Sequence, residues 1–202
     1  MVRVKICGVT SVADAQAAVA AGALAVGFNF HPSSPRRVAP ELARAIARSV
    51  PPQIWRVGVF VDRPRRDVEA LIEAAGLSVL QFHGSESPAF CRGWRLPVIK
   101  AVRVRTQADV VAAKEYAVDF VLADAYVEGA AGGTGTAFNW ALLEGMDRSR
   151  LILAGGLTPA NVGAAVRQVR PYAVDVASGV EREPGKKDPQ KVREFITNAQ
   201  TA

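Results

Sequence analysis

Along the chain, short apolar runs give way again and again to longer stretches of mixed polarity. Residues 3–6, 24–28, 55–61, 78–82, 98–102, 120–123, 151–154 and 173–176 read as strands, and 24–28 is nearly all apolar, as a strand covered on both faces would be. The stretches between them read as helices over 11–22, 40–49, 65–75, 87–94 and 107–116, another opening at Thr158, and a closing one over 189–199. Punctuation supports these limits. Gly22 and Gly76 close the first and third helices, Pro40 opens the second, and Thr158 with Pro159 forms an N-cap and first-turn pair.

Strands separated by helices, with no Asn-Gly type of hairpin signal between them, predict a parallel sheet. Eight such units close naturally into an α/β fold of the (β/α)8, or TIM, barrel type, and a doubly wound open sheet is the competitor. Polar, Gly-rich or acidic residues follow nearly every strand, as a site at one face of a barrel requires. An open sheet would gather them at a single switch point.

Composition narrows the picture without changing it. A chain of 202 residues, half of them hydrophobic and without a Pro/Ser-rich linker, is expected to form one domain over 1–202. The start reads as a strand and not as a signal peptide, no apolar run approaches a membrane span, and Cys7 and Cys91 are too far apart in sequence for a disulfide framework. A cytoplasmic protein is therefore expected. The net charge of +6 raises nucleic acid as a partner, but the basic residues are scattered and lack interleaved aromatics, so none is expected. Attraction of a small anionic substrate explains the charge equally well, and a simple solvated surface is the default for most of the arginines.

Candidate chemistry sits at the strand tips. The first strand runs into Cys7-Gly8, either a packed thiol or a reactive one, and the sixth ends at Asp124, either an acid or a carboxylate that caps backbone N–H groups. Gly155-Gly156 follows the seventh strand and Ser178-Gly179 the eighth. Their unhindered amides lie where barrels commonly hold phosphate. Asp175 reads as a brace for the last strand's loop, and Cys91, beside Phe90, as core. With only His31 and His83 in the chain, no metal site is expected.

Lys5-Ile6-Cys7-Gly8, Ser34-Pro35-Arg36, Gly58-Val59-Phe60, Gln81-Phe82-His83-Gly84, Gly132-Gly133-Thr134-Gly135, Leu153-Ala154-Gly155-Gly156-Leu157 and Val174-Asp175-Val176-Ala177-Ser178-Gly179-Val180-Glu181 occur in that order. Together they resemble the phosphoribosylanthranilate isomerase family over almost the whole chain. Phe82 stands where Leu is expected and Ala177 where Ser is usual. The first change concerns packing, and the second removes a hydroxyl near the phosphate while leaving the backbone donor. The resemblance implies an Amadori rearrangement in tryptophan biosynthesis, with Cys7 as general base and Asp124 as general acid. It implies no cofactor, because hydrogen only changes position. Arg36 would take the anthranilate carboxylate, unless it is a solvated loop residue. His83 would line the pocket, unless it is structural, and Gly133 would belong to a flap over the phosphate. Gly155, Gly156, Ser178 and Gly179 would bind that phosphate. The expected partners are a small phosphorylated substrate and at most a second copy of the chain, as monomer or homodimer. Two other phosphosugar barrels fit less well: the histidine-pathway isomerase uses paired aspartates, and a ribulose-phosphate epimerase needs metal-binding histidines. A non-catalytic phosphate binder would have no use for a thiol opposite a carboxylate.

Overall fold

The computed structural model describes residues 1–124 and 140–202. Eight parallel strands form a closed barrel in sequence order: β1 (Arg3–Cys7), β2 (Ala25–Asn29), β3 (Trp55–Phe60), β4 (Val79–Phe82), β5 (Val98–Arg103), β6 (Phe120–Asp124), β7 (Leu151–Ala154) and β8 (Ala173–Val176). Closure is made by β1 pairing with β8, from Arg3 opposite Ala173 to Ile6 opposite Val176. That pairing excludes the open sheet. Outside the barrel lie α1 (Val12–Ala20), α2 (Pro40–Arg48), α3 (Arg65–Ala75), α4 (Gln107–Ala113), α5 (Val162–Val169) and α6 (Pro189–Gln200). Their limits follow local chemistry. Ser11 accepts from the Asp14 amide at the start of α1, Asp188 caps α6 ahead of Pro189, and Gly76 ends α3 in the left-handed conformation.

Two expectations fail locally, and one element was not foreseen. Residues 87–94 form successive turns, not a helix: the Cys91 amide bonds to Ser87, then Gly93 reverses the chain. The one helical bond is not propagated, since the next amide, Arg92, turns back to Ala89. The segment is held instead by Phe90 and Trp94 packing on Phe82, with the Arg65 guanidinium 3.9 Å above the Trp94 ring. The helix expected to open at Thr158 starts at Val162, because the Asn161 side chain accepts from the Thr158 amide and donates to the Gly156 carbonyl. Those bonds hold 156–161 as a turn. Lastly, a hairpin of β9 (Glu181–Glu183) and β10 (Lys186–Lys187) turns at Pro184-Gly185 after the last barrel strand.

Two cores result. Outward-facing residues such as Ile6, Phe60, Leu80, Phe82 and Leu153 pack against the outer layer. A smaller inner core of Val57, Val79, Ile99, Leu122 and Ile152 fills the barrel, and Trp55, Phe120 and Tyr172 pack against its lower end. Because alternate residues of a strand face inward, the chemistry of the interior changes with height. On β6 the inward series runs Phe120, Leu122, Asp124. On β1 it runs Arg3, Lys5, Cys7, and β4 continues from Val79 and Gln81 to His83. The apolar layers lie low and the reactive groups stand at the C-terminal mouth. Phe82 faces outward in an aromatic cluster, so its departure from the family pattern concerns packing alone.

Candidate active site

A cavity of about 280 Å³ opens at the C-terminal mouth of the barrel. Its walls include Cys7, Arg36, His83, Asp124, Gly155, Gly156, Ser178 and Gly179, which come from five strand ends and the loop after β2. All the expected site residues but one thus meet in a single space. Gly133, with the 132–135 loop, lies outside the described residues.

Cys7 stands two residues beyond Lys5 on the inward face of β1. The Lys5 ammonium is buried and 2.9 Å from Oδ1 of Asp175, its register partner on β8. Asp175 was expected to brace the last strand's loop; its carboxylate instead holds the cation beneath the thiol. Room for both groups comes from Gly27 on β2. A Cβ there would stand 2.9 Å from Sγ of Cys7 and 3.2 Å from Nζ of Lys5. Burial works to lower the Lys5 pKa, but Asp175 and Cys7 together more than offset it, so the ammonium keeps its proton beyond the ordinary 10.5. Burial also pushes the Cys7 thiol above its ordinary 9.0, with Lys5 opposing and not prevailing. The resting sulfur is a thiol.

Arg36 reaches the cavity with its planar fork already occupied. Nε and one terminal nitrogen donate to the two oxygens of Glu181 at 2.8 and 2.7 Å. Lys187, fully buried, donates to the same carboxylate at 2.8 Å and to the Ala177 carbonyl at 3.1 Å. Burial alone would raise the Glu181 carboxyl, yet Arg36 and Lys187 hold it below the ordinary 4.5. For Lys187 burial prevails over Glu181, and its pKa lies below 10.5. Among the described residues the other terminal nitrogen of Arg36 has no acceptor, so one edge of the guanidinium remains for a ligand.

Asp124 meets an imidazole, and its register partner on β5 is Arg103. Nε2 of His83 lies 3.2 Å from its Oδ2, and Nδ1 of His83 lies 3.0 Å from Nε2 of Gln81. His83 is set in place by the loop that follows it. Glu86 accepts from the amides of Asp62 and Gly84 and pairs with buried Lys100 at 2.8 Å.

The glycine loops meet at the far wall. A Cβ on Gly179 would lie 2.0 Å from the Leu157 carbonyl oxygen, so only glycine lets the two loops touch. Among the described residues no protein acceptor is found for the amides of Gly156, Ser178 and Gly179, which therefore form a cluster of available donors.

Lys5, Gln81, Glu181 and Lys187 escaped the sequence reading as functional groups. For Lys5 and Gln81 a signal existed, since each is a polar residue inside an apolar strand, two positions before a reactive group. For Lys187 none did, because it arrives on the unforeseen hairpin, and Glu181 stood only as the last residue of a motif, with nothing to tie it to Arg36.

The family model for N-(5'-phosphoribosyl)anthranilate isomerase matches residues 4–198. The chain is 49% identical over 197 residues to the N-(5'-phosphoribosyl)anthranilate isomerase of Pelobacter propionicus, covering 97% of this chain and 94% of that one. The crystal structure of phosphoribosyl anthranilate isomerase from Thermotoga maritima superposes with a TM-score of 0.94 at 44% identity, both chains being covered in full. A structure of such an isomerase in complex with reduced 1-(o-carboxyphenylamino)-1-deoxyribulose 5-phosphate matches with a TM-score of 0.90 at 42% identity, again over both full chains.

Proposed function

The chain belongs to the N-(5'-phosphoribosyl)anthranilate isomerase family, and from that premise we propose how its residues divide the reaction. The activity is the Amadori rearrangement of N-(5-phosphoribosyl)anthranilate to 1-(2-carboxyphenylamino)-1-deoxyribulose 5-phosphate in tryptophan biosynthesis. Asp124 is the general acid. It protonates the furanose ring oxygen, and the ring opens to an iminium. Cys7 is the general base. Its thiolate takes the proton from C2 to give an enolamine, which tautomerises to the ketone. The observation that carries this division is the pair itself: a thiol above a fixed ammonium and a carboxyl 3.2 Å from an imidazole nitrogen, facing one cavity.

Substrate binding uses the rest of the wall. The open edge of Arg36 takes the anthranilate carboxylate, a planar partner suited to a guanidinium. Gly155, Gly156, Ser178 and Gly179 hold the phosphate through backbone N–H groups. Ala177, where a hydroxyl is usual, gives its carbonyl to Lys187, and the neighbouring amides carry the phosphate without the hydroxyl. His83 contacts the acid and not the phosphate. The working location is the cytoplasm, a reading supported by two free cysteines, and the chain acts as a monomer or homodimer.

The test is turnover of N-(5-phosphoribosyl)anthranilate, followed by loss of its fluorescence, in Cys7→Ser and Asp124→Asn. Each should lower kcat by about 10²–10⁴-fold while binding of the reduced product analogue persists. The double variant should lose little more, since either step alone blocks the cycle. Because burial raises the thiol, wild-type kcat/KM should climb with pH as Cys7 ionises. Near wild-type kcat in Cys7→Ser would remove the base assignment, and in Asp124→Asn the acid assignment.

A further inference from the structure

His83 joins Asp124 to a residue that no step of the mechanism uses. Gln81 is buried in the barrel, its Nε2 faces the imidazole, and its Oε1 is the single buried side-chain oxygen or nitrogen lacking a hydrogen-bond partner among the described residues. Leaving a buried acceptor unsatisfied costs about 1–3 kcal/mol, so an orphan beside the acid asks for a reason.

An amide has two faces. Turned about its last torsion, Gln81 would present Oε1 to the ring in place of Nε2. The two orientations require different protons. With Nε2 toward the ring, Nδ1 of His83 must be bare, so the neutral imidazole carries its proton on Nε2 and donates it to the Asp124 carboxylate. With Oε1 toward the ring, Nδ1 carries a proton and donates it to Gln81. Nε2 then accepts from a protonated Asp124 or, in the imidazolium form, donates to the carboxylate. The second arrangement holds one proton more than the first, and no electrons move. Neither orientation satisfies both ends of the amide, since inversion replaces an orphan acceptor by an orphan donor. Neither is therefore locked.

We propose that Gln81 is a positioning residue whose amide inversion gates the proton on the His83–Asp124 pair. This deepens the acid assignment and rests on it. The loaded arrangement precedes protonation of the ring oxygen, and the unloaded one follows it. Across the cavity the pair faces Cys7, Arg36 and Asp175, and on its other side Asp62, Lys100, Arg103, Asp109 and Tyr116. These charges bias the midpoint of loading. The amide decides whether Nδ1 can hold a proton at all.

Nitrogen-15 NMR reads the event in the intact protein. The chain has two histidines, so a His83→Asn sample assigns the imidazole signals. In wild type, protonation of His83 Nδ1 should occur reversibly and at the same midpoint as a shift of the Gln81 side-chain amide. Gln81→Glu can only accept, and should raise that midpoint by about one pH unit and move the kcat profile in the same direction. Gln81→Met keeps the volume and accepts nothing. It should lower the midpoint and reduce kcat about tenfold or more, leaving KM within about twofold. Protonation of Nδ1 without a change at the Gln81 amide would overturn the proposal. So would an Nδ1 that stays bare until acid unfolding, with Asp124→Asn inactive; the acid assignment would then stand alone. Active Asp124→Asn would remove the premise, and the proposal with it. Should neither Gln81 variant fold, the wild-type spectra decide.

Discussion

Cys7 and Asp124 face one cavity from β1 and β6, yet their surroundings are built on different chemistry. Around Cys7, charges answer charges. Lys5 pairs with Asp175, and Glu181 lies between Arg36 and Lys187, so three cations meet two carboxylates and one positive charge remains. The hydrogen bonds that reach Asp124 run through an imidazole and an amide, and its register partner on β5 is Arg103. The difference follows from what each group must do. Burial keeps the thiol protonated, and only a fixed cation can work against that, so the base half needs permanent charge. An acid must hold a proton and release it. A lysine bonded to a carboxylate favours its ionised form, whereas an imidazole is a group that both gives and takes a proton.

Removing the cation tests this contrast most severely. Lys5→Met should slow alkylation of Cys7 by iodoacetamide at neutral pH about tenfold or more, because less thiolate forms. It should also cost about 3–5 kcal/mol of stability, since Asp175 is left buried and unpaired. Adding Asp175→Asn should restore much of the stability and none of the reactivity. Unchanged alkylation in Lys5→Met would make the two halves alike.

The second test separates the charge network's outer edge from its centre. Arg36→Ala should raise KM about tenfold or more with kcat little changed, since the carboxylate it binds lies away from the carbon that reacts. A collapsed kcat at wild-type KM would move Arg36 into the chemistry. Glu181 should remain held by Lys187 in that variant, so the fold should survive.

The smallest effect concerns acid stability. The Glu181 carboxyl is held below its ordinary 4.5, so its contribution is complete above that value and disappears as the pH falls through its lower, folded value. Glu181→Gln should cost about 2 kcal/mol at neutral pH and flatten the decline of Tm in acid. Thermal denaturation from pH 7 downward measures both. A parallel decline in the two proteins would show that other groups govern acid unfolding.

How much of this was legible before folding varied with the range of the interaction. The eight strands and most helices were readable because apolar runs, caps and glycine stops act within a few residues. Eight strand units in order were enough to anticipate a barrel, and Cys7, Asp124 and the glycine loops could be placed at its mouth because strand tips share one face. The turns over 87–94 were misread because their stability comes from Phe82 and Arg65, distant partners that override local propensity.

By itself the sequence determined the repeating unit, its polarity and which groups stand at the strand ends. Those properties depend on backbone periodicity and on residues adjacent in the chain. Tertiary structure alone decided that Lys5 would meet Asp175 across the β1–β8 seam, 170 residues apart. It alone brought Glu181 and Lys187 to Arg36 on a hairpin, and turned His83 toward Asp124. Each of these contacts joins residues distant in sequence. Their geometry is set by barrel closure and strand register, which belong to the whole fold and to no single segment.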